Sequence, residues 1–295
     1  MSDLILRPIT GRDELELFNR LPYVLNDELA DDLAAGRRRP EWMWVALRGD
    51  RLVARVAWWG RDTPFLMDVF DAEDVNTGVH LLREAMSSVI STSPPKYLRN
   101  VPPGWRETGE VDDLMAALSQ VGARPFVERL RFEWRPGTPV PVPSGRLTFR
   151  PIDSTDEILD LMTRVLDGTL DAHSLDDLTR MPAREAAVHH FEDELAQYRS
   201  PRGWWRVAVR DGEPVGFVTP ARNDYGPVIG YLAVLPSHRG NGYIHDILAE
   251  GTRILAAEDA PRIRAATDVG NAPMADAFLR AGYVNFERTV MMTWT

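Results

Sequence analysis

The chain has no cysteine among its 295 residues. This absence excludes disulfide bonds, thiolate zinc sites and covalent catalysis through a cysteine nucleophile. The chain also lacks any run of 18 apolar residues, so no membrane-spanning helix is predicted. The first residues show neither the basic nor the apolar region of a secretory signal, which predicts a cytoplasmic location.

Positive charge is scarce as well. Lysine and arginine together number 34 against 44 acidic residues, and Lys96 is the single lysine. The resulting net charge of −10 argues against nucleic acid or an anionic membrane as the main partner. It is compatible with a cationic substrate, although an acidic surface also serves solubility alone.

The most informative segment that is present runs from residue 234 to residue 248. Gly240 and Gly242 allow the backbone to approach an anion closely, and the start of the following helix offers unpaired N–H donors and a positive dipole end. The segment therefore predicts a loop that binds the pyrophosphate of a cofactor. One face of a 3.6-residue period defines the helix: Ile244, Ile247, Leu248, Gly251 and Leu255.

The two halves of the chain resemble each other, which predicts two copies of one fold. Three segments recur in the same order: 6–15 as 149–158, 42–48 as 204–210, and 117–122 as 277–282. We expect one domain at 1–134, a Pro-rich linker at 135–146 that continues neither helix nor central strand, and a second domain at 147–295.

Each copy predicts strands mixed with helices, an arrangement typical of an α/β or α+β sheet domain. Asp211 and Gly212 form a strong hairpin signal between two strands. In the second copy the strands are expected at 147–150, 204–209, 215–219, 228–234, 262–267 and 286–294. The helices are expected at 156–166, 184–197 and 273–280, besides the helix that follows the glycine loop.

Two motifs resemble those of the GCN5-related N-acetyltransferases (GNAT). The first matches their acetyl-CoA signature, Arg/Gln-x-x-Gly-x-Gly/Ala, with Val234, Pro236, Arg239, Gly240 and Gly242. The second, an Asn followed by a helix that ends in Gly and an aromatic residue, is matched by Asn271, Met274, Phe278, Gly282 and Tyr283. The resemblance implies two tandem GNAT-like domains, each a mixed, mostly antiparallel sheet flanked by helices.

The resemblance further implies acetyl-CoA, or a related acyl-CoA, as donor, bound between the fourth and fifth strands. Backbone groups of Leu232, Ala233 and Val234 would face the pantetheine arm and the thioester. Asn271 would touch the cofactor from the far side. The pyrophosphate would be held by residues of the glycine loop: Arg239, Gly240, Asn241, Gly242, Tyr243 and Ile244.

Three positions depart from the family pattern. Ile244 stands where the signature ends in Gly or Ala, Phe278 where a Tyr commonly protonates the leaving thiolate, and Val228 where an acidic residue often acts as base. An amine that attacks a thioester must be neutral, so another group has to help remove its proton. We expect Tyr231, Asp224 or Asp268 to do so; the alternative for each is a purely structural hydrogen bond.

The first copy lacks the glycine loop. Its fourth strand runs into Asp71, Glu73 and Asp74, whose charges would repel a pyrophosphate. We therefore expect this domain to be a degenerate copy with a structural role. No metal is expected, since His189 and Asp193 are interpreted as part of a solvated helix face.

The sequence thus predicts an N-acetyltransferase that acts on a small amine, with no nucleic acid and no membrane as partner. Two alternatives stay open: a non-catalytic acetyl-CoA sensor and an enzyme that uses another acyl-CoA. The oligomeric state is not predicted.

Overall fold

The computed structural model describes residues 4–109 and 111–295. The chain divides into two compact units. The first holds the described part of Met1–Glu128 together with Thr289–Thr295, and the second holds Arg129–Arg288. The functional division into a degenerate and a catalytic domain stays a prediction.

The first unit combines strands with helices. Its strands are β1 (Leu4–Pro8), β2 (Met43–Arg48), β3 (Arg51–Gly60), β4 (Pro64–Ala72) and β5 (Tyr97–Val101). Its α-helices are α1 (Leu15–Phe18), α2 (Leu29–Ala34), α3 (Val75–Val89) and α4 (Asp112–Gln120). Strand β6 (Arg124–Trp134) begins in this unit and ends in the second.

The second unit follows a similar order, with one more α-helix between its first two strands. Its strands are β7 (Thr148–Pro151), β8 (Arg206–Arg210), β9 (Glu213–Asn223), β10 (Gly226–Val234) and β11 (Ile263–Asp268). Its α-helices are α5 (Thr155–Val165), α6 (Ala172–Leu178), α7 (Ala183–Asp193), α8 (Tyr243–Ala256) and α9 (Ala272–Arg280). Strand β12 (Val284–Thr293) begins here and ends in the first unit.

Both units pair their strands in the same way. Strands β1 to β4, and likewise β7 to β10, are joined by successive antiparallel pairs, and each series is followed by one parallel pair. In the second unit β11 then pairs antiparallel with the end of β6. The predicted fold class, a mixed and mostly antiparallel sheet flanked by helices in two copies, is confirmed.

The Arg-Pro-Ile motif that recurs in both copies forms an ion pair between its arginine and a glutamate seven residues later. The Arg7 guanidinium binds both carboxylate oxygens of Glu14, at 2.7 and 2.8 Å, and the Thr10 N–H donates to the same carboxylate. The Arg7 hydrogen bond lowers the pKa of the Glu14 carboxyl to about 2. Arg150 and Glu157 form the same pair in the second unit, so the repeated Arg-Pro-Ile segment ties the first strand of each unit to its first helix.

Helices cover both faces of the second unit's sheet. Neighbouring residues of β9 point to opposite faces: Val218 packs with α8 and α9, and Phe217 packs with α5 and α7. The predicted apolar face of α8 is buried, with Ile247, Leu248 and Leu255 fully covered. This packing places the start of α8 against the end of β10.

Gly251 permits the close approach of α8 to the sheet. A Cβ at this position would lie 2.7 Å from Val218 Cγ2 and 3.1 Å from Ile229 Cδ1. We predict that Gly251→Ala lowers the free energy of unfolding by about 1–3 kcal/mol, because overpacking outweighs the gain in helix propensity of about 1 kcal/mol. Urea unfolding measures the change; a stabilised variant would contradict the close packing.

Candidate functional site

The strands β10 and β11 separate soon after they meet. Their one described bridge joins Val228 to Arg264, yet β10 continues to Val234 and β11 to Asp268, each paired only on its other edge. The facing edges at residues 229–234 and 265–268 are therefore open between the two strands. A linear ligand can add its hydrogen bonds to such edges, as an additional strand would.

A bulge shapes β10 at this opening. The register with β9 shifts between Ile229 and Tyr231, which leaves Gly230 unmatched. The Tyr231 N–H donates to Thr219 Oγ1 at 2.7 Å, and that hydroxyl donates to the Tyr231 carbonyl at 3.1 Å. A Cβ on Gly230 would lie 2.7 Å from the Tyr198 ring and 3.1 Å from the Thr219 carbonyl oxygen, so the close packing favours glycine here. Bulges redirect the side chains that follow them, and here the next side chain is Tyr231.

The loop after β10 presents free backbone donors. Gly240 and Gly242 have φ angles of 79° and 72°, in the region that favours glycine. Among the described groups of the chain, none accepts a hydrogen bond from the N–H groups of residues 240–244. These amides stand at the N-terminus of the 14-residue helix α8. The arrangement suits an anion such as a pyrophosphate.

Two residues just before β7, Ser144 and Arg146, hold this loop and the first turn of α8. Arg146 donates to the Asn241 carbonyl at 3.0 Å and to the buried Asp246 carboxylate at 3.2 Å. The N–H and hydroxyl of Ser144 donate to the same carboxylate at 2.6 and 2.8 Å. The segment before β7 thereby fixes the first turn of α8. Because Asp246 is engaged by these donors, its charge is compensated at the helix start.

The Arg239 side chain is engaged elsewhere. Its guanidinium donates to the main-chain carbonyls of Val165, Asp167 and Gly168 at 2.7 to 3.0 Å, and its Nε donates to the Val234 carbonyl at 3.3 Å. These groups belong to the end of α5, the turn after it and the end of β10. The predicted contact between Arg239 and a phosphate stays a prediction.

A carboxylate cluster lies at the open end of β11. Asp268 is buried and accepts from the Ala172 N–H at 2.7 Å, with Arg129 Nε at 3.1 Å. Asp171 caps α6 by accepting from the Ser174 N–H at 2.8 Å. The negative charge of Asp171 acts on both Asp268 and Tyr231. Asp171, which sequence reasoning missed, thus lies close enough to act electrostatically on both Tyr231 and Asp268, which were predicted from the sequence.

The pKa values of Tyr231, Asp268 and Asp171 are shifted in different ways, so the three groups suit different chemical roles. Burial raises the pKa of the Tyr231 hydroxyl and the nearby Asp171 charge adds to this, so the hydroxyl stays protonated at neutral pH and can donate a hydrogen bond or a proton. Burial also raises the pKa of the Asp268 carboxyl, which makes it a stronger base than an ordinary aspartate. Burial opposes the charged form of Asp171, but the hydrogen bond from Ser174 helps lower its pKa.

A small pocket adjoins Tyr231 beneath α5, α6 and α7. The His190 ring stacks on the Tyr231 ring with centroids 5.0 Å apart. The lining residues are Met162, Leu166, Ser174, Asp177, His190 and Tyr231, with two alanines of α7. The Asp177 carboxylate accepts from Arg180 at 2.8 Å, so it is already partly neutralised. The pocket combines apolar walls with a few polar groups.

Three other predicted residues take different places. Asp224 lies in the turn between β9 and β10, next to Arg199 at 3.3 Å and roughly 20 Å along the strand from Tyr231. The structure therefore does not bring Asp224 to the cluster. Asn271 caps α9 by accepting from the Met274 N–H at 3.4 Å. Phe278 is fully buried and stacks on Phe132 at 5.0 Å.

In the first unit, helix α3 follows the fourth strand as α8 does in the second unit, but its N-terminus is capped differently. Asp74 caps α3, accepting from the Thr77 N–H at 2.8 Å and the Thr77 hydroxyl at 2.7 Å. These hydrogen bonds lower the pKa of the Asp74 carboxyl, so the helix end already carries its own anion. Asp71, at the end of β4, is bound by Arg55 and Arg99 at 2.8 and 3.0 Å.

The described residues contain neither a metal-binding cluster nor a membrane-spanning helix. No group of three or more His, Cys, Asp or Glu side chains there is arranged to hold a metal ion, although His189 Nε2 lies 3.2 Å from Asp193 Oδ2. None of the described helices combines the length and the apolar character needed to cross a bilayer.

Residues 172–283 match the model of the acetyltransferase (GNAT) family. No curated protein matches the chain in sequence. A GCN5-related N-acetyltransferase from Sphaerobacter thermophilus is similar in structure, with a TM-score of 0.59 at 14% identity over 98% of this chain and 94% of the other. A tandem GNAT protein from the clavulanic acid biosynthesis pathway reaches 0.54 at 15% identity, over 99% and 98%.

An acetyltransferase of the GNAT family from Colwellia psychrerythraea has a TM-score of 0.51 at 13% identity and covers 99% of this chain and 100% of its own. At these identities the likeness concerns the fold, and it extends along nearly the whole chain. Residues 172–283 therefore form a domain of the acetyltransferase (GNAT) family, in a chain that has the tandem GNAT fold.

Proposed function

We propose that the second unit binds acetyl-CoA and transfers its acetyl group to the amine of a small molecule. The observation that carries this proposal is the set of unpaired amides at residues 240–244, placed at the start of α8 beside the opening between β10 and β11. The GNAT fold supports acyl transfer from acyl-CoA in general, and residues 172–283 include both elements.

The donor would lie along the open edge of β10. Leu232, Ala233 and Val234 offer main-chain groups there, in line with the loop that would hold the pyrophosphate. A pantetheine arm is an extended chain with two amides, so it can pair with a strand edge as a peptide does. Asn271, at the start of α9 just beyond β11, would contact the donor from the other side.

The carboxylate cluster supports the chemistry. The amine nitrogen attacks the thioester carbon, so that a C–N bond forms and the C–S bond breaks. We assign the amine proton to the Asp268 carboxylate, which burial makes more basic. Tyr231, which stays protonated, would donate a proton or a hydrogen bond to the leaving sulfur. These two residues would replace the family's acid and base at Phe278 and Val228.

The acceptor would enter from the pocket beneath α6 and α7. Asp171 and Asp268 concentrate negative charge beside Tyr231, which favours an amine that arrives as an ammonium ion. The apolar walls formed by Met162 and Leu166 favour an acceptor with an apolar body. A small amine fits this description better than a lysine on a folded protein.

A second candidate function is a sensor that binds acetyl-CoA without turnover. The observation that favours it is Phe278, which is fully buried at the position of the family's tyrosine and has no proton to give.

The release of free CoA thiol from acetyl-CoA across a panel of small alkyl and aryl amines separates the two functions. We expect amine-dependent release at a rate well above hydrolysis. The double variant Tyr231→Phe and Asp268→Asn, which removes the hydroxyl and the carboxylate, should still bind the donor but release no thiol. Tight donor binding without release for any amine would support the sensor. Efficient transfer to peptide lysines with none to small amines would contradict the assigned acceptor class.

A further inference from the structure

Arg239 directly precedes the glycine loop, yet its guanidinium is occupied by main-chain carbonyls. Nη1 donates to the carbonyls of Asp167 at 2.7 Å and Gly168 at 3.0 Å, Nη2 donates to that of Val165 at 2.8 Å, and Nε donates to that of Val234 at 3.3 Å. A guanidinium has five N–H groups, so these bonds use four of them. Little capacity is left for a phosphate.

The carbonyls that Arg239 reaches need such a donor. Helix α5 ends at Val165, and the last carbonyls of a helix have no partner within it and carry the negative end of its dipole. Gly168 has a φ of 62°, and a Cβ at this glycine would lie 3.1 Å from Arg239 Nη1. The turn after α5 is therefore shaped to receive the guanidinium.

The segment held in this way builds the acceptor side of the site. Leu166 lines the pocket next to Tyr231. A few residues later Asp171 caps α6, and the Ala172 N–H binds Asp268. Residues 166–172 thus connect the apolar wall of the pocket to the carboxylate cluster.

We propose that Arg239 is a positioning residue that ties the donor loop to residues 165–168 and so holds the wall of the acceptor pocket. The phosphates are then held by the amides of residues 240–244, and Arg239 is not their ligand. The role assigned to the pocket rests on the proposed function, whereas the tether itself is a property of the free protein.

The test uses the full chain with Arg239→Ala, and Arg164→Ala as a matched control. Arg164 lies on α5, the helix whose end Arg239 binds. Its side chain is half-exposed and lies 3.7 Å from Asp160. We expect Arg239→Ala to change the dissociation constant for acetyl-CoA by less than about threefold, whereas loss of a charge-assisted contact to phosphate would raise it roughly tenfold or more. Amide hydrogen exchange at residues 166–172 should accelerate at least about tenfold, because the orphan carbonyls lose their donors.

For the amine with the fastest turnover, we expect the acceptor KM of Arg239→Ala to rise about tenfold while the donor KM stays nearly constant. Gly168→Ala should act in the same direction, since its Cβ would displace the guanidinium. Arg164→Ala should match the wild type in donor binding, in hydrogen exchange and in both KM values.

Weakened acetyl-CoA binding with unchanged exchange at 166–172 would identify Arg239 as a phosphate ligand and overturn the proposal. Faster exchange with an unchanged acceptor KM would overturn the positioning role. If the wild-type chain binds no acetyl-CoA, the proposed function fails, and hydrogen exchange in the free protein still decides whether the tether exists.

Discussion

Gly240→Asp should weaken the binding of acetyl-CoA by about 30-fold. A carboxylate at this point would stand beside the pyrophosphate that we propose for the free amides, and the repulsion of like charges at a partly screened separation of several ångströms amounts to about 2 kcal/mol. A Cβ at Gly240 would meet no heavy atom within 4 Å, so we expect the change to act through charge rather than through a clash. Titration calorimetry with acetyl-CoA measures the effect.

Two further variants separate the effect of the negative charge in Gly240→Asp from the effect of backbone strain at a positive φ. Gly240→Asn has the same shape as Gly240→Asp and the same tolerance of a positive φ, and it should weaken binding by less than about fivefold. Gly212→Asp places a charge on another glycine of the second unit with a positive φ and open space around it, in the turn after β8, and should leave binding unchanged. Equal losses for Gly240→Asn and Gly240→Asp would show that strain, not an anion, explains the result.

Asp268→Asn should lower kcat about 100-fold or more, because a general base contributes about 100- to 10,000-fold. The binding of acetyl-CoA should persist, since the Asp268 carboxylate pairs with Ala172 and Arg129 and not with the loop at residues 240–244. Calorimetry and thermal unfolding of the variant control for the loss of its partner, Arg129. Asp224→Asn is a matched control at the far end of β10 and should keep wild-type turnover.

The pH profile supplies a second readout for Asp268. The base works only when ionised, so kcat/KM should fall as the pH drops through its pKa. Burial raises that pKa, so the acid limb should lie above the range of an ordinary aspartate. In Asp268→Asn this limb should disappear, and the rise that remains at alkaline pH should follow the amine itself. An unchanged acid limb in the variant would assign the base to another group.

The parts of this site that depend on local sequence were predictable. The apolar period identified α8, and the positive φ angles of Gly240 and Gly242 are the reason those glycines stand in the loop. Asn271 caps α9 with Pro273 in the first turn, which are the residue types that these two positions of a helix favour. The hairpin at Asp211 and Gly212 has positive φ at both residues, as its sequence signal predicts.

The parts that depend on distant contacts were not predictable. Asp171 belongs to the cluster only because the N–H of its neighbour Ala172 binds Asp268, 96 residues away in sequence. Its local signal, an Asp three residues before Ser174, indicates a helix cap and no more. The predicted helix at 184–197 ends earlier, at Asp193, because a short 3₁₀ turn follows it. The end of β12 also depends on distant contacts. Residues from Thr289 onward belong to the first compact unit, although they lie in the second copy of the sequence repeat.

The central claim is that an acyl-CoA binds in the second unit, along β10 and the loop before α8. Amide hydrogen exchange of the full chain with and without saturating acetyl-CoA tests it most directly. We predict strong protection at residues 232–244, where the N–H groups of 240–244 gain acceptors, and none at residues 72–79, where Asp74 already caps α3. Protection at 72–79, or no protection at 232–244, would contradict the account.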